Sequence, residues 1–425
     1  MTPATSIAHV TAWQALDSRG SPTVACAVEL AGGASGSAVV PSGASTGTHE
    51  AVELRDGGER YGGRAVSRAV ANVEGELATA VKGVDAAAQE DVDSALRSCD
   101  GTPDLSRLGG NAVLAVSVAS AIAAARAAGQ PLYRRLGADP LLPLPMVNVI
   151  SGGAHGGRLL DVQDFLVVPL GAESFSQAIE WAWRVRTATA ELMARHHLTA
   201  RLVADEGGLA APLSSNREAL DLLCDGIGAA GLVPGRDVVI AIDVAANQLV
   251  ADDGYAFAVE ARQLSVHELL AELADWVASY PLWSIEDPVA DHDWEGWQAA
   301  ADVLPPGLQV VGDDLFATNP DLLTRGIDLG VANAVLVKPN QNGTLSGAHA
   351  VVRIATSAGY RTVVSARSGD TEDSWLADLA VGWRAGQIKV GSTTRAERTA
   401  KWNRLLRIEH ELGHRAEYAG PTLRA

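Results

Sequence analysis

In the second half of the chain, six short apolar runs each stop on a polar or charged residue. They are "VVIAID" ending at Asp243, "LWSIE" at Glu286, "LQVVGD" at Asp313, "AVLVK" at Lys338, "TVVS" at Ser365 and "GQIK" at Lys389. Apolar, β-branched runs of this length read as buried strands. Their stops recur at intervals of about 24 to 43 residues, room for a strand, a helix and two loops. Amphipathic stretches such as "SVHELLAELADWVASY" fill the intervals. Repeated units of this kind make an α/β fold, either a doubly wound sheet or a closed barrel. A barrel delivers the last residue of every strand to one end, whereas a doubly wound sheet scatters them across its width. Six consecutive polar stops therefore favour a (β/α) barrel with its chemistry at one rim.

The first 140 residues follow another rhythm. "SPTVACAVEL" alternates as a half-buried strand does, and the turn-rich "AGGASGSA" follows it. "AVSRAVANVEGELATAV" and the window from Asn111 to Gly129 carry helical spacing. The Pro-rich "DPLLPLPM" is the natural linker, which divides the chain into residues 1–140 and 141–425.

Charge and composition narrow the partners. The formal net charge is -18, with 47% hydrophobic and 20% charged residues and no run of Lys or Arg. That balance speaks against a nucleic acid or an anionic membrane as partner. Cys26, Cys99 and Cys224 are scattered and include no CxxC pair, which points to a reducing, cytoplasmic setting. The start has no basic segment followed by an apolar core. The Asn111 window is Ala-rich and interrupted by Ser117, Ser120 and Arg126, so it reads as a buried helix rather than a membrane span.

Asp243, Glu286 and Asp313 at one rim would form three hard oxygen ligands suited to Mg²⁺. The alternative is that each caps the helix after it. Lys338 and Lys389 share that rim. A lysine near a metal and a second ammonium has its pKa lowered and can serve as a base, although both lysines could merely neutralise the carboxylates. Glu206 in "VADEGG" precedes two glycines and reads as a general acid or a turn carboxylate. His155 lies on the Gly-rich "SGGAHGG", a loop able to close over a ligand. His196 and His197 read as surface residues at a helix end. Ser365, Arg367 and Ser368 in "TVVSARSGDTED" are equipped to grip an anion. Counting Asp164 with these groups leaves the site two negative charges in excess, which one Mg²⁺ neutralises. Proton abstraction beside a metal-bound carboxylate is the chemistry such a site would perform.

The ordered motifs "ALDSRGSPTV", "VPSGASTGTHEAVELRDG", "LPMVNVISGGAH", "DEGG", "SIEDP", "VGDDLFATNP", "VKPNQNGTL", "RSGDTED" and "GQIKVGS" resemble the enolase (phosphopyruvate hydratase) family from end to end. The resemblance implies an α+β N-terminal cap domain with a mobile loop, followed by a modified (β/α)8 barrel. It implies two Mg²⁺ ions, held by Asp243, Glu286 and Asp313, with Ser45 of the mobile loop on the second. Lys338 matches the base at C2, Glu206 the acid at the C3 hydroxyl, and Asp164 and His155 further catalytic positions. Gln163, His155, Ser365, Arg367, Ser368 and Lys389 match substrate-binding positions for a small phosphoglycerate-type anion. A homodimer is also implied.

Two positions depart from the family's pattern. Asp164 stands in place of Glu and Ala366 in place of His, and Asp370 likewise replaces a Glu. The changes cluster where the family handles phosphate and leaving group. In this the chain resembles the carboxyphosphonoenolpyruvate synthases of phosphonate and phosphinate antibiotic pathways, where a carboxyphosphono group takes the place of phosphate. An ordinary 2-phosphoglycerate dehydratase and a catalytically silent binding protein stay open beside that reading.

Overall fold

The computed structural model describes residues 3–43, 47, 49–195, 198 and 202–424. Ser45, His196 and His197 lie outside the described residues.

The N-terminal part is an antiparallel sheet of three strands, Ile7–Leu16, Pro22–Leu30 and Ser35–Val39, joined in chain order. The helix Gly110–Ala127 packs on its second and third strands. Alanines dominate this helix because backbone must lie close to backbone here. A Cβ built on Gly36 would stand 2.3 Å from the Ala119 carbonyl oxygen and 2.4 Å from the Ala123 nitrogen. The helix is apolar enough to cross a membrane, yet 83% of it is buried inside the protein, as a core helix is.

Eight strands then close a barrel in chain order. They are Leu144–Ser151, Asp164–Val168, Val239–Asp243, Leu282–Glu286, Gln309–Gly312, Ala334–Val337, Arg361–Ser365 and Gly386–Gly391. Seven run parallel, and the second is antiparallel to both neighbours. The helices Phe175–Arg195 and Asn216–Ala229 follow one another between the second and third strands. Local chemistry sets the later βα units. Ser265 and Glu268 form a reciprocal capping box at Val266–Ser279, and Asn319 followed by Pro320 starts the helix that Gly330 ends at φ 67°. Apolar side chains such as Leu144, Leu166, Val311, Leu336 and Val363 fill the barrel interior. Among them Gln309 and Gln387 exchange amide hydrogen bonds at 3.0 and 2.9 Å.

Functional residues reach the rim in other ways than by ending a strand. Asp164 begins the second strand and reaches the common rim because that strand runs backwards, in register with Asp243. Lys389 lies inside the eighth strand, and Glu206 sits on the connection between the two helices. The N-terminal part docks on this rim through backbone. Ser42 N donates to Gly369 O at 2.7 Å and Gly369 N to Ser42 O at 3.0 Å, while Ser18 N donates to Asp370 O at 2.8 Å.

Gly36→Ala should lower unfolding free energy by about 1–3 kcal/mol, since the obstructing atoms are backbone and cannot swing aside. Gly228→Ala is the control: it is helical and has nothing within 4 Å of its Cβ position, so it should be neutral or stabilise by about 0.4–1 kcal/mol. Urea titration of both variants measures the difference, and equal stabilities would refute the close-contact account.

Candidate active site

Asp243 ends the third barrel strand, Glu286 ends the fourth, and Asp313 directly follows the fifth. All three are buried, and each meets a lysine. Lys389 Nζ donates to Asp243 Oδ2 at 2.8 Å and to the two Glu286 oxygens at 2.8 and 2.7 Å. Lys338 Nζ pairs with Asp313 Oδ2, and Gln341 Nε2 donates to the other Asp313 oxygen at 3.1 Å. Gln163 Nε2 donates to Asp243 Oδ2 at 3.0 Å and is itself held by Gln248.

The electrostatics follow from this crowding. Burial, with Asp243 next, pushes the Glu286 carboxyl well above the usual range. Burial also acts on Asp243, but the Lys389 ammonium outweighs it and holds that carboxyl down. For Lys389, burial works against the charge and the two carboxylates more than restore it, so its pKa is well raised. Lys338, expected to have a lowered pKa beside a metal, here sits against Asp313. Burial opposes its charge, yet the adjacent Asp313 raises its pKa overall, with Arg367 and Lys389 pulling the other way.

A second acidic layer adjoins the first. Asp287 accepts the backbone N–H groups of Asp313 and Asp314 at 2.9 and 2.8 Å, which fixes the loop carrying Asp313. Burial and Asp313 push Asp314 up to about 7. Among the described residues, Asp287, Asp313 and Asp314 have oxygens within 4.8 Å of one another, and so do ligand atoms of His155, Asp164 and Glu206. The Asp243–Glu286–Asp313 set converges on the same rim, but the Lys389 ammonium holds the first two and Lys338 the third. These acidic clusters could hold a metal ion. Apart from the His155 imidazole the donors are hard carboxylate oxygens, so the carboxylates fit a hard divalent cation.

The opposite wall is cationic and hydroxylic. Ser365 ends the seventh strand, and Ala366, Arg367 and Ser368 follow it into the cavity. Arg367 is clamped by Glu50 of the N-terminal part, at 2.9 Å to Oε2 and 3.3 Å to Oε1, and by Asn340 Oδ1 at 3.1 Å. Arg19 reaches the Ser368 hydroxyl at 3.4 Å. His155, Gln163, Glu206, Lys338 and Lys389 complete the same cavity. Its third side holds the departure at 164. Asp164 is wholly buried behind His155, with Oδ2 3.0 Å from His155 Nδ1 and Oδ1 bound by Asn148 and, at 3.1 Å, by Ser151. Burial opposes a charge on His155, but Asp164 and then Glu206 outweigh it and raise its pKa to about 9.

Among the described residues, which exclude Ser45, the structure thus brings the expected ones to one rim, with Glu286 covered by Lys389 and Asp164 by His155. Residues 7–136 match the family model described as Enolase, N-terminal domain, and residues 139–425 that described as Enolase, C-terminal TIM barrel domain. The chain belongs to the enolase family. It is an enolase-superfamily enzyme of lyase type, and its family suggests a small phosphorylated anion as substrate. Sequence reasoning missed Glu50, Asp287, Asp314, Gln248 and Gln341 in this enolase-family site. Asp287 and Asp314 could have been found as the second acid of "ED" and "DD". Glu50 had no local signal, because its partner Arg367 lies 317 residues away.

His155 should titrate near 9, so it carries its proton at neutral pH. The sign follows: the ion pair's stabilisation is complete below the ordinary value of 6.5 and is lost as pH rises through about 9. In Asp164→Asn the attraction goes while burial stays, so the midpoint should fall markedly. NMR titration of the imidazole, assigned with His155→Gln, reads it directly. An unmoved midpoint would mean that Asp164 is not what keeps the proton there.

Proposed function

We propose that this enzyme removes a proton from C2 of a small carboxylate-bearing anion and eliminates a group from C3, leaving an enolpyruvate product. In this reading Lys338 takes the C2 proton and Glu206 assists departure of the C3 group. Lys389 receives the substrate carboxylate, and Arg367, Ser368 and His155 receive its phosphate or phosphonate end. Gln163 and Ser365 support those contacts, and Asp164 acts through His155. Asp243, Glu286 and Asp313, with Ser45, would hold Mg²⁺, two ions per site. What Mg²⁺ supplies when bound is positive charge beside the substrate carboxylate, which lowers the cost of the enolate.

One observation carries the proposal: two lysines, a ring of carboxylates and an arginine–serine anion grip share one cavity. Either lysine alone is a structural counter-ion. Facing an anion grip across a cavity, they make a site that orients an α-proton toward a base. Lys338 must shed its proton to act, and Arg367 and Lys389 are the cations that favour its loss. The reading extends to a cytoplasmic homodimer.

The two departures refine the substrate. Asp164 is drawn back to His155 and does not line the cavity, and Ala366 presents a methyl group beside Arg367. Both remove functional groups near the phosphate end while sparing base, carboxylate and metal positions. This supports a specialised paralogue of the carboxyphosphonoenolpyruvate synthase kind, whose substrate brings a larger or differently charged phosphorus group.

The division of roles is tested by solvent exchange at C2 of 2-phosphoglycerate in D₂O. Lys338→Ala should abolish exchange, and Glu206→Gln should spare exchange while blocking elimination. Loss of exchange in both variants would show the roles to be wrongly divided.

The natural protein should bind 2-phosphoglycerate yet form phosphoenolpyruvate slowly, because losing one acid–base or electrostatic group costs about 10²–10⁴-fold. Ala366→His combined with Asp164→Glu should raise that rate at least about tenfold. A direct phosphoenolpyruvate assay decides. Turnover by the natural protein at the rate of an ordinary dehydratase would overturn the specialised reading.

A further inference from the structure

Arg398 lies on the helix Ala396–Leu412 beneath the cavity and is wholly buried. A guanidinium there is costly unless its donors are used. Those of Nη1 and Nη2 are used on main-chain carbonyls, while Nε makes no hydrogen bond among the described residues. Nη1 donates to Arg367 O at 2.7 Å and to Val390 O at 3.0 Å, and Nη2 to Ser368 O at 2.6 Å and Asp205 O at 3.4 Å. Its Nη1 also lies 3.9 Å from Glu206 Oε1, and Nε faces Glu397 at 3.4 Å.

One side chain therefore ties together the loop after the seventh strand, the eighth strand and the loop carrying Glu206. The packing around it leaves little slack. Gly391 has φ 112°, and a Cβ there would stand 2.7 Å from Glu206 O and 3.0 Å from Arg398 Cδ. Ser392 N holds the same Glu206 carbonyl at 2.8 Å.

We infer that Arg398 is a positioning residue that sets the anion grip and the general acid relative to each other, through the carbonyls of Arg367, Ser368 and Asp205 and the charge beside Glu206. It touches no substrate. Its planar fork spans carbonyls from separate segments, which the single-point ammonium of a lysine cannot do. Small displacements matter here, since an error of about 1 Å in a reacting group can cost about 10²-fold. The inference rests on the proposed roles of Glu206 and of Arg367 with Ser368.

Arg398→Lys keeps the charge and loses the fork. With 2-phosphoglycerate as probe, its KM should rise by about tenfold. The ratio of C2 exchange to phosphoenolpyruvate formation should also rise by about tenfold, because the acid is displaced and the base is not. Both readouts are independent of how much enzyme is folded, so a variant that folds poorly still answers. A fall in kcat alone, with KM and the ratio unchanged, would overturn the inference and leave Arg398 a scaffold residue. Calorimetry with inorganic phosphate separates the two failures. If the natural protein shows no C2 exchange, the assigned reaction fails, and phosphate affinity still decides on Arg398. Weaker binding by Arg398→Lys supports its role at the grip, and equal binding overturns it.

Discussion

Like charges forced together in a dry place are the constraint on which this molecule turns. The barrel closes only with strands side by side, and its rim then brings Asp243, Glu286 and Asp313 together with Asp287 and Asp314 behind them. Apart in water these acids would ionise freely. Here burial and mutual repulsion push Glu286, Asp287 and Asp314 upward. Two lysines hold the balance, and Lys389 alone bridges two strands by pairing with Asp243 and Glu286. The groups that answer the repulsion are also the groups with chemical use. A site of this kind favours whatever brings positive charge to the rim, and it repels any anion that arrives without a cationic partner.

The N-terminal part contributes more than a cover. Glu50 pairs with Arg367 and also accepts from Gln341, which in turn holds Asp313. Arg367 and the acidic rim are thus linked through one carboxylate that the barrel does not supply, the counter-ion of Arg367 and the acceptor for Gln341. The backbone pair between Ser42 and Gly369 fixes the approach. A Cβ on Gly369 would stand 2.5 Å from both Arg19 Nη2 and Asp17 Oδ2. Glycine is required there because the Ser42 carbonyl oxygen, which is backbone and cannot swing aside, would stand 2.7 Å from that Cβ.

Much of this was legible in the chain, and what was not has definite causes. Apolar runs ending on Asp243, Glu286 and Lys338 could be read because a buried strand is apolar throughout and its exit alone can be polar. Alternation carries no arrow, however, so nothing local said that the strand starting at Asp164 runs backwards. The place of Glu206 was equally silent, since its loop is held by carbonyl contacts to Ser392 and Arg398, and such contacts leave no side-chain pattern. Pairings such as Glu50 with Arg367 depend on how two folded parts meet. They come into view only with coordinates.

The position of Asp164 shows why one methylene matters. A carboxylate at the rim serves as a reacting group only if it reaches the cavity. This one is turned inward, with both oxygens engaged by Asn148, Ser151 and His155. Its charge is not lost to the site but transferred: it keeps His155 protonated, and His155 lines the cavity. Under the proposed function, this charge and the small Ala366 side chain favour a larger or differently charged group at the phosphorus end. Under that proposal the substrate's carboxylate end, at Lys389 and the acidic rim, keeps its arrangement while the phosphorus end changes its ligand.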